Sequence, residues 1–198
     1  MKRFRVLKTS VVAVALVVGL MPAPSAHAVG AGALVITNGE ADLPSFPCDP
    51  GPCSASFDGD VALGTLAGSG TSPHVVVGTT GTVAANVSYS EPALTCPLQG
   101  SANGNGNFNG SGIDVAQGGA TVAVSGGFSY NYTRVGAVAV VTLSGVNASV
   151  GNDQVINGGL GAAVLLFTAP PDQAALNCLA GGGPLHVTLN GAAVFAGL

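Results

Sequence analysis

The chain has 198 residues, with 47% apolar and only 7% charged residues, and nine acids stand against five bases. So few cations cannot neutralise a run of phosphates, which excludes nucleic acid as a partner and disfavours anionic membrane surfaces. The high apolar content also excludes disorder, and the length suits one domain with a sizeable core.

Residues 1–28 read as an export signal. Lys2, Arg3, Arg5 and Lys8 precede the apolar run "VVAVALVVGLM", and "PAPSAHA" ends in small residues at the positions a signal peptidase reads. The apolar run is about half the roughly 20 residues a membrane-spanning helix needs. Cleavage after Ala28 leaves a single expected domain, 29–198, in a secreted, extracellular protein. Four of the five bases leave with the signal, so the remainder is acidic: Arg134 alone against nine carboxylates, a formal charge of −8. No later stretch is long and apolar enough to predict a transmembrane helix.

"FPCDPGPCSASF", residues 46–57, places Cys48 and Cys53 on either side of a Pro-Gly turn. Cys96 and Cys178 complete an even count in an oxidising compartment, which argues for disulfides. A zinc site would want closely spaced pairs with further Cys or His partners, and a thioredoxin-like site would want two intervening residues. The simplest pairing is Cys48–Cys53 and Cys96–Cys178. The chain-entropy view credits the short loop with roughly 2 kcal/mol and the long one with about 4.5 kcal/mol.

Strands are expected along the rest of the chain. In "TVAANVSYS" Val83, Ala85, Val87 and Tyr89 share one face, and in "ATVAVSGGFSYNYT" Val122, Val124, Phe128, Tyr130 and Tyr132 do so. Leu185, Val187 and Leu189 repeat the alternation, the signature of strands with one buried face. "AVAVVTL" (137–143) and "AAVLLF" (162–167) are apolar throughout and predict strands covered on both sides. Asn-Gly at 38, 103, 105, 109, 157 and 190 predicts tight turns, because both central residues of a type I′ turn reach positive φ. A meander over 101–108, 112–117 and 120–132 is therefore expected, turning at Asn109-Gly110 and Gly118-Gly119. A hairpin over 185–189 and 192–197 is expected to turn at Asn190-Gly191. The one helix candidate is "PPDQAALNCLA", of one or two turns.

Catalytic and metal patterns are weak. His74 and His186 are expected as exposed edge histidines, and Gly-x-Ser-x-Gly does not occur. "GSANGNGNFNGSG" lacks the strand–helix context of a phosphate loop. Asp58 and Asp60 in "FDGDVALG" predict a charged turn, with too few oxygen ligands for calcium. No catalytic, cofactor-binding or metal residue is assigned, and no cofactor is expected.

The leader, the Ala/Val/Gly-rich body and "SYSEPALTCPLQGSANGNGNF" resemble secreted β-rich proteins of the high-GC actinobacterial type. The resemblance implies export and implies no activity. The short surface-active chaplins share high Val, Gly and Asn content but differ in length and in having two cysteines.

These readings combine into an all-β domain, an antiparallel β-sandwich or squat β-barrel of about nine to eleven strands, stapled by Cys48, Cys53, Cys96 and Cys178. The expected role is a non-catalytic extracellular one, in binding or at the cell surface, with an extracellular partner not specified by the sequence. One alternative is a small secreted hydrolase using His74 or His186 with a Ser or Asp. Another is an envelope β-barrel pore.

Overall fold

The computed structural model describes residues 30–44, 53–89, 99–135, 138–168 and 185–197. Among them are eight strands: β1 (Gly30–Leu43), β2 (Cys53–Ser69), β3 (Pro73–Tyr89), β4 (Gln99–Asp114), β5 (Ala120–Val135), β6 (Val138–Val150), β7 (Asp153–Thr168) and β8 (Leu185–Ala196). Each pairs antiparallel with its sequence neighbour, and β8 closes on β1. The sheet is a closed up-and-down barrel, which leaves no unpaired edge. Of the two expected architectures the barrel is the one present.

The strands are fewer and longer than expected because most Asn-Gly pairs lie inside strands. Gln99–Asp114 is one strand, paired with β5 without a break from Gln99↔Val135 to Asp114↔Ala120. The expected turn at Asn109-Gly110 is absent, while the one at Gly118-Gly119 is present, both glycines having positive φ. Leu185–Ala196 is likewise one strand, with no turn at Asn190-Gly191. Asp58 and Asp60 are exposed mid-strand positions of β2, so the expected charged turn is also absent.

Packing between neighbouring strands explains two of these glycines. A β-carbon on Gly106 would lie 2.5 Å from the ring of Phe128, its partner on β5, and one on Gly104 would run into the backbone carbonyl of Asn86 on β3 and lie 2.8 Å from the Tyr130 hydroxyl. Other Gly pairs make bulges. Asn38 and Gly158 have positive φ, and the β1–β2 and β1–β8 registers both shift around Asn38. Gly78, with φ 63, marks a similar shift between β3 and β4.

The barrel is one layer thick, and much of the outer face of β6 is open to solvent. Val138 and Val140 point outward at 40% and 54% exposure, and Leu160 is similarly exposed. The expectation that 137–143 is covered on both sides therefore fails for β6. The inward face follows the predicted alternation: Val83, Val87, Val124 and Tyr130 are buried, with Val122, Phe128 and Tyr132 packed against them. The candidate helix "PPDQAALNCLA" lies outside the described residues. Among the described residues no helix is long and apolar enough to cross a membrane.

The two ends differ. One end gathers the short turns at 70–72, 115–119 and 151–152, and here it is called the turn end. From the opposite end depart the connections 45–52, 90–98, 136–137 and 169–184. Cys53 opens β2 at that connection end and is fully buried. Among the described residues no cysteine is free, and Cys48, Cys96 and Cys178 lie outside them.

Candidate functional site, an apolar lumen above a polar plug

Eight strands leave an interior just wide enough to be filled by side chains or to hold one small ligand. In this barrel one half is filled by side chains and the other leaves a cavity. Towards the turn end, Leu66, Val76, Val124, Val150, Val155 and Ile156 are almost wholly buried and fill the lumen. Above them the rings of Phe108 and Phe195 meet, with centroids 6.0 Å apart, and form a floor. Over that floor is a cavity of about 100 Å³.

The described residues of the cavity wall are aromatic and aliphatic. Phe57, Phe128, Tyr130, Tyr132 and Phe167 supply rings, and tilted pairs of these rings bring Phe128 within 6.3 Å of Tyr130 and Tyr132 within 6.1 Å of Phe167. Ala85, Ala163 and Ala193 supply the small side chains that leave the space open. The Tyr130 hydroxyl donates to the backbone carbonyl of Asn86 at 2.9 Å, so this buried polar group is satisfied. Burial also raises the Tyr130 pKa well above its ordinary value, which keeps the phenol neutral. Outside, Thr82, Asn86, Asn103, Asn105, Asn107, Asn109 and Thr121 of β3–β5 are exposed. A water-filled pore through lipid would want the reverse distribution on these strands.

Below the floor, at the turn end, the structure corrects the expectation for His74. It is buried, 9% exposed, on the inward face of β3. Its Nδ1 donates to Asp114 Oδ2 at 2.6 Å and its Nε2 to Asp153 Oδ2 at 3.1 Å. Asp114 sits at the N-terminus of the one-turn 3₁₀ helix Val115–Gln117 and also accepts from the backbone N–H groups of Val75 and Ala116. Asp153 opens β7 and accepts from the backbone of Thr71 and Ser72 and from the Thr71 hydroxyl. One imidazole thus ties all three turns together.

The pKa values follow from these contacts. The Asp114 hydrogen bond, aided by Asp153, raises His74 above 6.5 against the lowering effect of burial. Burial pushes Asp114 up, but the hydrogen bonds from His74, Val75 and Ala116 outweigh it and hold it low. The backbone donors of Thr71 and Ser72 hold Asp153 well below the usual carboxylate range. The two carboxylates thus favour the charged form of the imidazole.

The same cluster contains the sequence Ser–His–Asp that a hydrolase would use. Ser72 Oγ lies 3.1 Å from His74 Nε2, and Asp114 is on the other ring nitrogen. A general base must offer an unprotonated Nε2 to the serine. Asp153 lies on that same nitrogen and stabilises its proton, and none of Ser72, His74 and Asp114 lines the cavity. The arrangement is suited to closing one end of the barrel rather than to proton abstraction.

His186 is half-buried on β8, where its Nδ1 contacts Asp42 Oδ1 at 2.7 Å, and Asp42 is almost fully exposed. The alternation of β5 already marked three of the cavity rings, Phe128, Tyr130 and Tyr132. It gave no sign of the plug, because His74, Asp114 and Asp153 are far apart in sequence and each reads locally as a turn-flanking polar residue. The usable signal was topological: alternate hairpin turns of a closed barrel converge on one end. Among the described residues no group of three or more His, Cys, Asp or Glu side chains forms a metal site. No protein-family model matches the chain, and neither a curated protein nor a solved structure matches it significantly.

Proposed function

We propose that this is a secreted, non-catalytic β-barrel that binds a small apolar molecule in the half of its lumen next to the connection end. The observation that carries this reading is the cavity of about 100 Å³, which among the described residues is walled by aliphatic and aromatic side chains. Barrel interiors are ordinarily packed to crystal density, and a void this large gives up contacts and stability. A bound apolar molecule would restore them. The leader over 1–28 supports export, and the actinobacterial resemblance agrees with it. The pairing Cys48–Cys53 and Cys96–Cys178 belongs to the same reading. Cys53 opens β2 at the end from which the segments holding the other three cysteines depart, and peptide mapping without reductant tests the linkage.

The binding test uses toluene as the probe and the methyl NMR signals of the barrel as the readout. Saturable shifts confined to lining methyls such as those of Leu34, Val141 and Ala163 are expected. Ala163→Phe, and the milder Ala163→Leu, should fill the space and abolish or weaken them. Shifts that survive both variants, or the absence of any saturable shift, contradict the proposal.

A further inference from the structure

We infer that the ligand is uncharged and compact, on the order of one six-membered ring in size, and that the cavity discriminates against a carboxylate of the same shape. This deepens the binding reading and rests on it.

Size comes first. An apolar cavity of about 150 Å³ stays dry and accepts a benzene ring. The cavity here is about 100 Å³. Its floor is fixed by Phe108 and Phe195, and the lumen beneath them is filled, so a long chain has no depth to enter. A single ring or a short branched hydrocarbon matches the space.

Charge comes second. The described wall residues include no charged or amide side chain. Their side-chain polar atoms are the hydroxyls of Tyr130 and Tyr132, and the Tyr130 hydroxyl donates to Asn86. An ionised group taken into such a wall loses its hydration without a compensating cation, at a cost of several kcal/mol or more.

The outer surface near the connection end adds to this. Glu40 and Asp58 are exposed and directly opposite one another on β1 and β2, and exposed Asp42 and Asp60 flank them. His186 is paired with Asp42. Beyond residue 8 the sequence has one Arg, Arg134 in β5, and no Lys. The field around the barrel is therefore negative and repels anions before they reach the lumen.

Nitrobenzene and benzoate isolate charge from shape, because the two are closely isosteric. Both are titrated at pH 7 into the disulfide-intact protein and followed by the shifts of the cavity methyls. Nitrobenzene should bind at least about 100-fold more tightly than benzoate. A preference below about tenfold overturns the inference and leaves the binding reading standing. Benzoate binding that disappears in Arg134→Gln also overturns it and identifies that arginine as a carboxylate partner. If neither compound nor toluene binds, the binding reading itself falls.

Discussion

A β-carbon on Gly32 would run into the Phe195 ring, coming within 2.5 Å of Cε2, while its nearest backbone contact, the Thr65 carbonyl, would be at 3.1 Å. The glycine is required by one aromatic neighbour. Gly32→Ala should cost about 1–3 kcal/mol as an overpacked site. Adding Phe195→Leu should recover part of that loss, because the two changes share one contact. Additive losses in denaturant unfolding would show that the ring does not dictate the glycine. His74 poses a different case at the same scale. Removing it leaves two carboxylates facing each other at the turn end, so His74→Gln should lower the melting temperature clearly. His186→Gln removes the solvent-exposed contact with Asp42 and should cost less stability than His74→Gln. The pH dependence follows from the shifts. The raised His74 pKa gives stability that is complete below 6.5 and lost as pH rises through the folded-state value. The lowered pKa values of Asp114 and Asp153 give stability present above about 4 and lost as pH falls through their folded-state values. Melting temperature against pH should therefore form a plateau with two falling limbs, and His74→Gln should flatten the alkaline one. An unchanged alkaline limb in that variant would assign the loss elsewhere.

Among the elements, β4 departs furthest from its local sequence signals. "NGNGNFNGSG" reads as turns because Asn-Gly favours positive φ, yet all of it is extended and paired on both sides. Gly104 and Gly106 lie opposite Tyr130 and Phe128 on β5, and its Asn residues face outward. That requirement comes from the neighbouring strands and is invisible in a local window. The alternation of β5 was legible because its large residues declare their own inward face. Asn109 distinguishes the two readings. It lies on the exposed face of β4 between Thr82 and Ser125, so Asn109→Thr should be neutral or slightly stabilising, within about 0.5 kcal/mol. A type I′ turn would instead be damaged by a β-branched residue, and a loss above 1 kcal/mol in the same unfolding assay would contradict the strand assignment.

At the scale of the whole molecule, the all-β class was legible from alternation, and closure was not. A sandwich and a barrel use the same alternating strands, and the choice depends on whether the first and last strands meet. Here Ala31 to Leu43 pair with Ala196 to Leu185, which removes the edges and defines a lumen. Closure also creates the two features no segment announces. Three turns converge so that His74 can bridge Asp114 and Asp153, and alanines on separate strands face one another across an unfilled space. Whether this space accepts an apolar guest is tested directly by soaking a crystal of the protein in bromobenzene and locating the anomalous signal of bromine. One internal peak is expected above the Phe108–Phe195 floor, within reach of Phe128, Tyr132 and Phe167, together with its loss in Ala163→Phe. Bromine found only on the outer face around Val138 and Val140, or a lumen collapsed around no guest, would contradict it.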